Sequence, residues 1–187
     1  MGYLGTAGSQ SETERIARRH AHSVAMAAFF RWLFESTGRI DRSAGAFFVP
    51  DNGRDTSVSL VQGFLTPVPD SLPEALSRVL PSEVAQALDL SGGTWATELL
   101  ELLETVRTEL VTDVATLEEL RDEAAAAKKF QLAQRYQQVG NTLRGRDLLG
   151  FLAKRNVLPK DGFPVDSVEL RTNFGYGKDA GSKLDLA

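Results

Sequence analysis

His20 and His22 are the only imidazoles in the chain, and cysteine is absent. Two residues apart on a helix, the pair points to nearly opposite faces and cannot chelate one metal as an i,i+4 pair does. They read as helix-surface or interface histidines, and no metal site is expected. Without thiols there are no disulfides, Cys-based zinc sites or thiol nucleophiles. No serine stands in a Gly-x-Ser-x-Gly elbow, and two histidines give a Ser-His-Asp triad little to draw on. Carboxylates crowd residues 98–123, where helical period and solvent account for them better than acid–base pairing. A phosphate loop needs a glycine turn followed by Lys and then Ser or Thr. Gly175-Tyr176-Gly177-Lys178 and Gly181-Ser182-Lys183 lack that order and lead into no convincing helix. The chain has no visible means of hydrolysing ATP.

Basic residues offer more. Arg144, Arg146, Lys154 and Arg155 fall within about three helical turns, and Lys160 follows. Their cationic groups can neutralise phosphates and displace counterions. Phe151 and Phe163 have rings able to stack on a base, although core packing suits both. Arg15, Arg18 and Arg19 are weaker candidates for the same path. The bland alternative is an amphipathic helix whose basic outer face pairs with the acidic helix before it.

These residues need elements to hold them. Ser11-Glu12-Thr13-Glu14 fits a capping box, which predicts a helix over residues 12–36. Residues 24–34 are apolar nearly all round, broken by Arg31, so they should be buried on most sides. Gly38 can end the helix. Residues 46–49 suggest a short strand or an apolar plug, and Pro50-Asp51-Asn52-Gly53 is turn chemistry. Residues 58–65 are too short to assign as strand or helix. Ser71 and Pro81-Ser82 each start a short helix, the second with Val84, Ala87 and Leu88 inward and Gly92-Gly93 at its end. Thr94 then caps a long helix. Leu103, Val106, Leu110, Leu117, Leu120, Ala124 and Ala127 form a coiled-coil-like seam with Asp113 as its flaw. The helix should reach Val139, break at Gly140-Asn141 and turn back through residues 142–155. Residues 165–171 alternate as a strand. The fold class is therefore mostly α, a helical bundle or hairpin with one long helix and one or two short strands.

Composition sets the background. With 187 residues, 42% apolar and 25% charged, the chain suits one ordinary globular domain. The longest apolar run, residues 24–30, is far below the ~20 residues that span a bilayer, so no membrane partner and a cytoplasmic setting are expected. The net charge of −4 hides strong segregation. Residues 92–127 hold nine acids and two bases, whereas residues 128–171 hold nine bases and four acids. Such runs are solvated faces or lie along a polyanion.

Residues 142–172 read Thr-Leu-Arg-Gly-Arg-Asp-Leu-Leu-Gly-Phe-Leu-Ala-Lys-Arg-Asn-Val-Leu-Pro-Lys-Asp-Gly-Phe-Pro-Val-Asp-Ser-Val-Glu-Leu-Arg-Thr. This stretch resembles a segment of large bacterial DEAD/DEAH-box helicases that carry a C-terminal zinc domain of the DUF1998 type. Family members often have Tyr where this chain has Asp161. Arg18-Arg-His-Ala-His-Ser-Val-Ala-Met-Ala-Ala-Phe-Phe30 is similar to the family's helix after its second motor domain. The resemblance implies a connector between motor and zinc domain, serving DNA repair or phage defence. No Walker motif, DEAH box or zinc-binding cysteine lies in these 187 residues, so ATP and magnesium are expected only with a separate motor. It divides the chain into a post-motor helix (1–45), a loop with short helices (46–91), a helical hairpin with terminal strand (92–172) and a tail (173–187). Arg144, Arg146, Lys154, Arg155 and Lys160 would guide DNA. The alternative is a helical adaptor that docks residues 24–34 on a partner motor without touching nucleic acid.

Overall fold

The computed structural model describes residues 4–160, with side chains from Glu12 onward. Among them are eight helices and only isolated β-bridges. The fold is mostly α, built on one long helix that returns as a hairpin. The strand expected over 165–171 lies outside the described residues.

Helix α1 spans Leu4–Thr37. It begins upstream of the expected capping box, so Ser11 sits inside the helix rather than at its start. Nothing between Leu4 and Ser11 stops a helix: there is no proline, and a glycine costs only about 1 kcal/mol. Ala17, Ala21 and Ala25 recur every four residues and are buried, so neighbours approach this face closely. Met26, Phe29, Phe30 and Leu33 continue the buried side, but Trp32 and Phe34 are 37% and 54% exposed. Burial of residues 24–34 is thus less complete than their composition suggested. Gly38 ends the helix in a left-handed conformation, its N–H reaching the Phe34 carbonyl at 2.8 Å.

Helix α2, Ala44–Phe48, is the apolar plug rather than a strand. Ser43 caps it by accepting from the Ala46 N–H at 3.2 Å. Phe47 and Phe48 are fully buried and meet edge to face at 4.7 Å between ring centroids. Phe47 also touches Phe29 and Phe30 of α1, while Phe48 lies 6.0 Å from Phe151. Aromatic pairs of this kind contribute about 0.5–1.5 kcal/mol beyond area burial. Five helix-forming residues therefore tie α1 and Phe151, far apart in sequence, to one centre. The turn at 51–54 forms as expected, with Asn52 and Gly53 left-handed.

Residues 58–65 resolve as helix: α3 is Ser57–Phe64, capped by Thr56. Helices α4 (Ser71–Val79) and α5 (Ser82–Ala87) pack on α1. Leu72, Leu76 and Leu88 are buried, whereas Val79 and Ala87, the latter expected inward, face solvent. The residue before α6 is Gly93, left-handed at φ 75°, so Gly93 rather than Thr94 occupies the cap position.

Helix α6 spans Thr94–Ala126. Its buried positions include Leu99, Leu103, Val106, Leu110, Val114 and Ala124. The seam steps by four from Leu110 to Val114, which leaves Asp113 exposed and removes the expected flaw. The helix stops far short of Val139. Lys128 takes a left-handed φ of 61°, the Lys129 N–H bonds to the Ala124 carbonyl at 2.8 Å, and the Lys128 N–H bonds to Ala125 at 3.0 Å. These two bonds form a Schellman termination. Helix α7, Phe130–Arg144, then returns antiparallel along α6 and runs straight through Gly140-Asn141. The hairpin is real, but its turn lies at 127–129. A run of alanines favours helix and carries no breaker, so pairing between α6 and α7 places the reversal.

Helix α8, Leu148–Lys154, buries Leu148, Phe151 and Leu152. Asp147 caps it, accepting from the Gly150 N–H at 3.0 Å. An antiparallel bridge joins the chain before α2 to the chain before α8: the Ala44 N–H meets the Arg146 carbonyl at 2.9 Å, and Leu148 meets Arg42 at 3.0 Å.

Candidate nucleic-acid interface

The α7–α8 junction carries the basic residues singled out by sequence. Arg144, in the last turn of α7, turns back to an ion pair with Glu118 of α6. Arg155, just past α8, lays its guanidinium 3.6 Å from the centre of the Phe151 ring. Phe151 is itself buried, so that ring belongs to the core and is closed to a base. Phe163 lies outside the described residues. The remaining three cations behave differently. Arg146, Lys154 and Lys160 are exposed and make no ion pair among the described residues. The reason is local: α8 fixes its apolar side inward, so position 154 must face out. Val157, Leu158 and Pro159 are buried and hold Lys160 at the surface.

The other basic candidates lie on α1. Arg18 pairs with Glu98 of α6 at 3.4 Å. Arg15 is exposed and Arg19 half-buried on α1. The two halves of the α6–α7 hairpin are laced by Arg144–Glu118 and by Arg121 donating to Gln137 at 2.9 Å. Part of the acidic block therefore answers the basic block internally.

Of the two histidines, read as helix-surface or interface residues, His20 is half-buried and His22 sits where α1 meets the chain after α8. His22 is buried, and its Nδ1–H donates to the Val157 carbonyl at 3.0 Å across 135 residues. Its Nε2 is enclosed, and no hydrogen bond to it forms among the described residues. Burial pushes its pKa down to about 4, because a charged imidazole there would lose its water. Burial also lowers the pKa of His20.

One polar cluster escaped the sequence reading. Arg39 donates to the Asp55 carbonyl and to Ser57 Oγ, each at 3.2 Å, and lies 3.5 Å from buried Asp41. The Ser57 hydroxyl donates to the same Asp41 carboxylate. The group borders an open cavity of about 680 Å³ that also reaches Asp51, Arg54 and Arg144. Isoleucine between two opposite charges, with the serine sixteen residues on, has no recognisable spacing. Chemically the cluster braces loops: the serine faces a carboxylate with no imidazole or amine to relay its proton. Among the described residues, no group of three metal-binding side chains forms, and no helix is long and apolar enough to cross a membrane. No protein-family model, curated protein or solved structure matches the chain.

Proposed function

We propose that this chain is the helical connector of a cytoplasmic ATP-dependent nucleic-acid helicase, acting in DNA repair or phage defence. In this reading it braces a separate motor, which binds ATP and magnesium, and guides DNA along the α7–α8 end. The supporting observation is the outward set Arg146, Lys154 and Lys160, in and on either side of α8, whose other face is core. Arg144 and Arg155 shape that end and contribute charge after exchanging their present partners. The segment that resembles the helicase family supplies the same residues.

Labelled duplex binding, measured by anisotropy over a salt series, tests the reading. The whole chain should bind at low salt. Reversing these three cations together (R146E, K154E, K160E) should flatten the slope of log K against log salt by about 3, at ~0.9 per phosphate. Duplex binding unaffected by the triple change, or ATP turnover by the pure chain, would overturn it. A helical adaptor is the second reading, favoured by exposed Trp32, Phe34 and Ile40 at and beyond the end of α1. That reading requires no oligonucleotide binding even at low salt.

A further inference from the structure

At the far end of the hairpin, charge and exposed apolar surface coincide. Phe130, the first residue of α7, is 68% exposed, the most exposed large hydrophobic side chain among the described residues. It shares an open depression of about 500 Å³ with Lys128, Lys129, Gln131, Leu132 and Arg135. From residue 124 to residue 146 the chain contains five cations and no acid. The nearest acids along the sequence are Glu123 and Asp122, and Asp122 is engaged by Arg121 at 2.9 Å. Lys129 occupies the cap position of α7 and makes no side-chain cap bond. The opening N–H groups of α7 therefore add positive potential to the same end.

Position matters as much as composition. Val114 is the last α6 residue in the main core. Twelve further residues carry α6 to Ala126, a reach of about 18 Å beyond the body at ~1.5 Å per residue. Over that stretch the hairpin is held by α6 against α7. An aromatic ring at the end of a stiff arm, ringed by cations, has the chemistry of a single-strand contact. Each base offers a π face to the ring while the neighbouring phosphate meets an ammonium or guanidinium. An acidic peptide would use the cations and leave the ring in water.

We propose that the hairpin tip binds single-stranded nucleic acid, with a base stacked on Phe130 and phosphates held by Lys129 and Arg135, flanked by Lys128. The contact uses none of the residues of the α7–α8 end and shares with it only the class of partner.

Binding of the whole chain to labelled oligodeoxythymidylate tests it. Phe130→Ala should weaken binding about tenfold, in the range for one stacked base, with the salt slope unchanged. Phe130→Trp should retain binding and show fluorescence quenching on titration, beyond that of Trp32 and Trp95 in the parent. Lys129→Ala with Arg135→Ala should flatten the slope by about 1.4, at ~0.7 per phosphate on a single strand. Because these side chains are exposed, the variants should keep the parental circular dichroism and melting. Unchanged affinity in Phe130→Ala overturns the proposal, as does binding to anionic vesicles or polyglutamate without binding to the oligonucleotide. The triple α7–α8 variant separates the two contacts. If it alone abolishes binding, the tip proposal fails and the other stands; if Phe130→Ala alone weakens binding, the reverse holds.

Discussion

His22 shows how a single buried side chain contributes to the pH dependence of stability. Its folded-state pKa is about 4 against an ordinary 6.5. The folded state therefore resists protonation that the unfolded chain accepts. Stability is complete above pH 6.5, falls as pH drops from 6.5 to about 4, and changes no further from this group below that. The full shift amounts to roughly 3 kcal/mol. An asparagine places its amide nitrogen where Nδ1–H now donates to Val157. In urea unfolding at pH 7.5 and 4.5, His22→Asn should lose much less stability on acidification than the parent. Parallel losses in the two proteins would assign the acid sensitivity elsewhere. Residue by residue, the basic cluster was legible from spacing, since cations within three turns stand out in any sequence. That Glu118 occupies Arg144, and Phe151 occupies Arg155, was not. Those partners depend on how α7 and α8 return to the core, and Glu118 is 26 residues away.

Among the elements, legibility followed the strength of the local signal. The 3–4 spacing of Leu103, Val106 and Leu110 marks α6 because one apolar face must be covered. The reversal at Lys128 left no comparable mark, since a lysine in the left-handed region is uncommon and the alanines before it continue a helix without cost. Gly140 looked like a breaker yet sits within α7, where a single glycine costs only about 1 kcal/mol and packing of α6 on α7 outweighs it. Gly45 makes the opposite case. A Cβ there would lie 2.8 Å from the Arg144 Cβ and 2.9 Å from its carbonyl oxygen. Backbone cannot swing aside as a side-chain tip can, so Gly45→Ala should push α2 from the end of α7. The expected cost is about 1–3 kcal/mol in unfolding free energy, measured by denaturant titration. A neutral result would mean that the two helices separate freely.

At the scale of the whole molecule, the aromatic centre and the hairpin arm differ in how they are held. Phe29, Phe47 and Phe48 have neighbours from several elements, whereas the arm beyond Val114 rests on its own two helices. Local opening is favoured where few buried contacts must break. Hydrogen exchange should therefore run faster in residues 117–140 than in residues 24–33, with the latter opening only on global unfolding. Equal protection in both regions would show that the arm is braced by something beyond the α6–α7 pair. The bond between His22 and Val157 has a further consequence, for synthesis. At ~5–20 residues per second, roughly 7–27 s pass between making the two residues. The α6–α7 hairpin joins neighbours in sequence and can close as it emerges. The apolar side of α1 can be covered by α2, α4, α5 and α6 as they emerge, but its stretch around His22 must wait for Val157, and through that interval it is a surface on which chaperones would act.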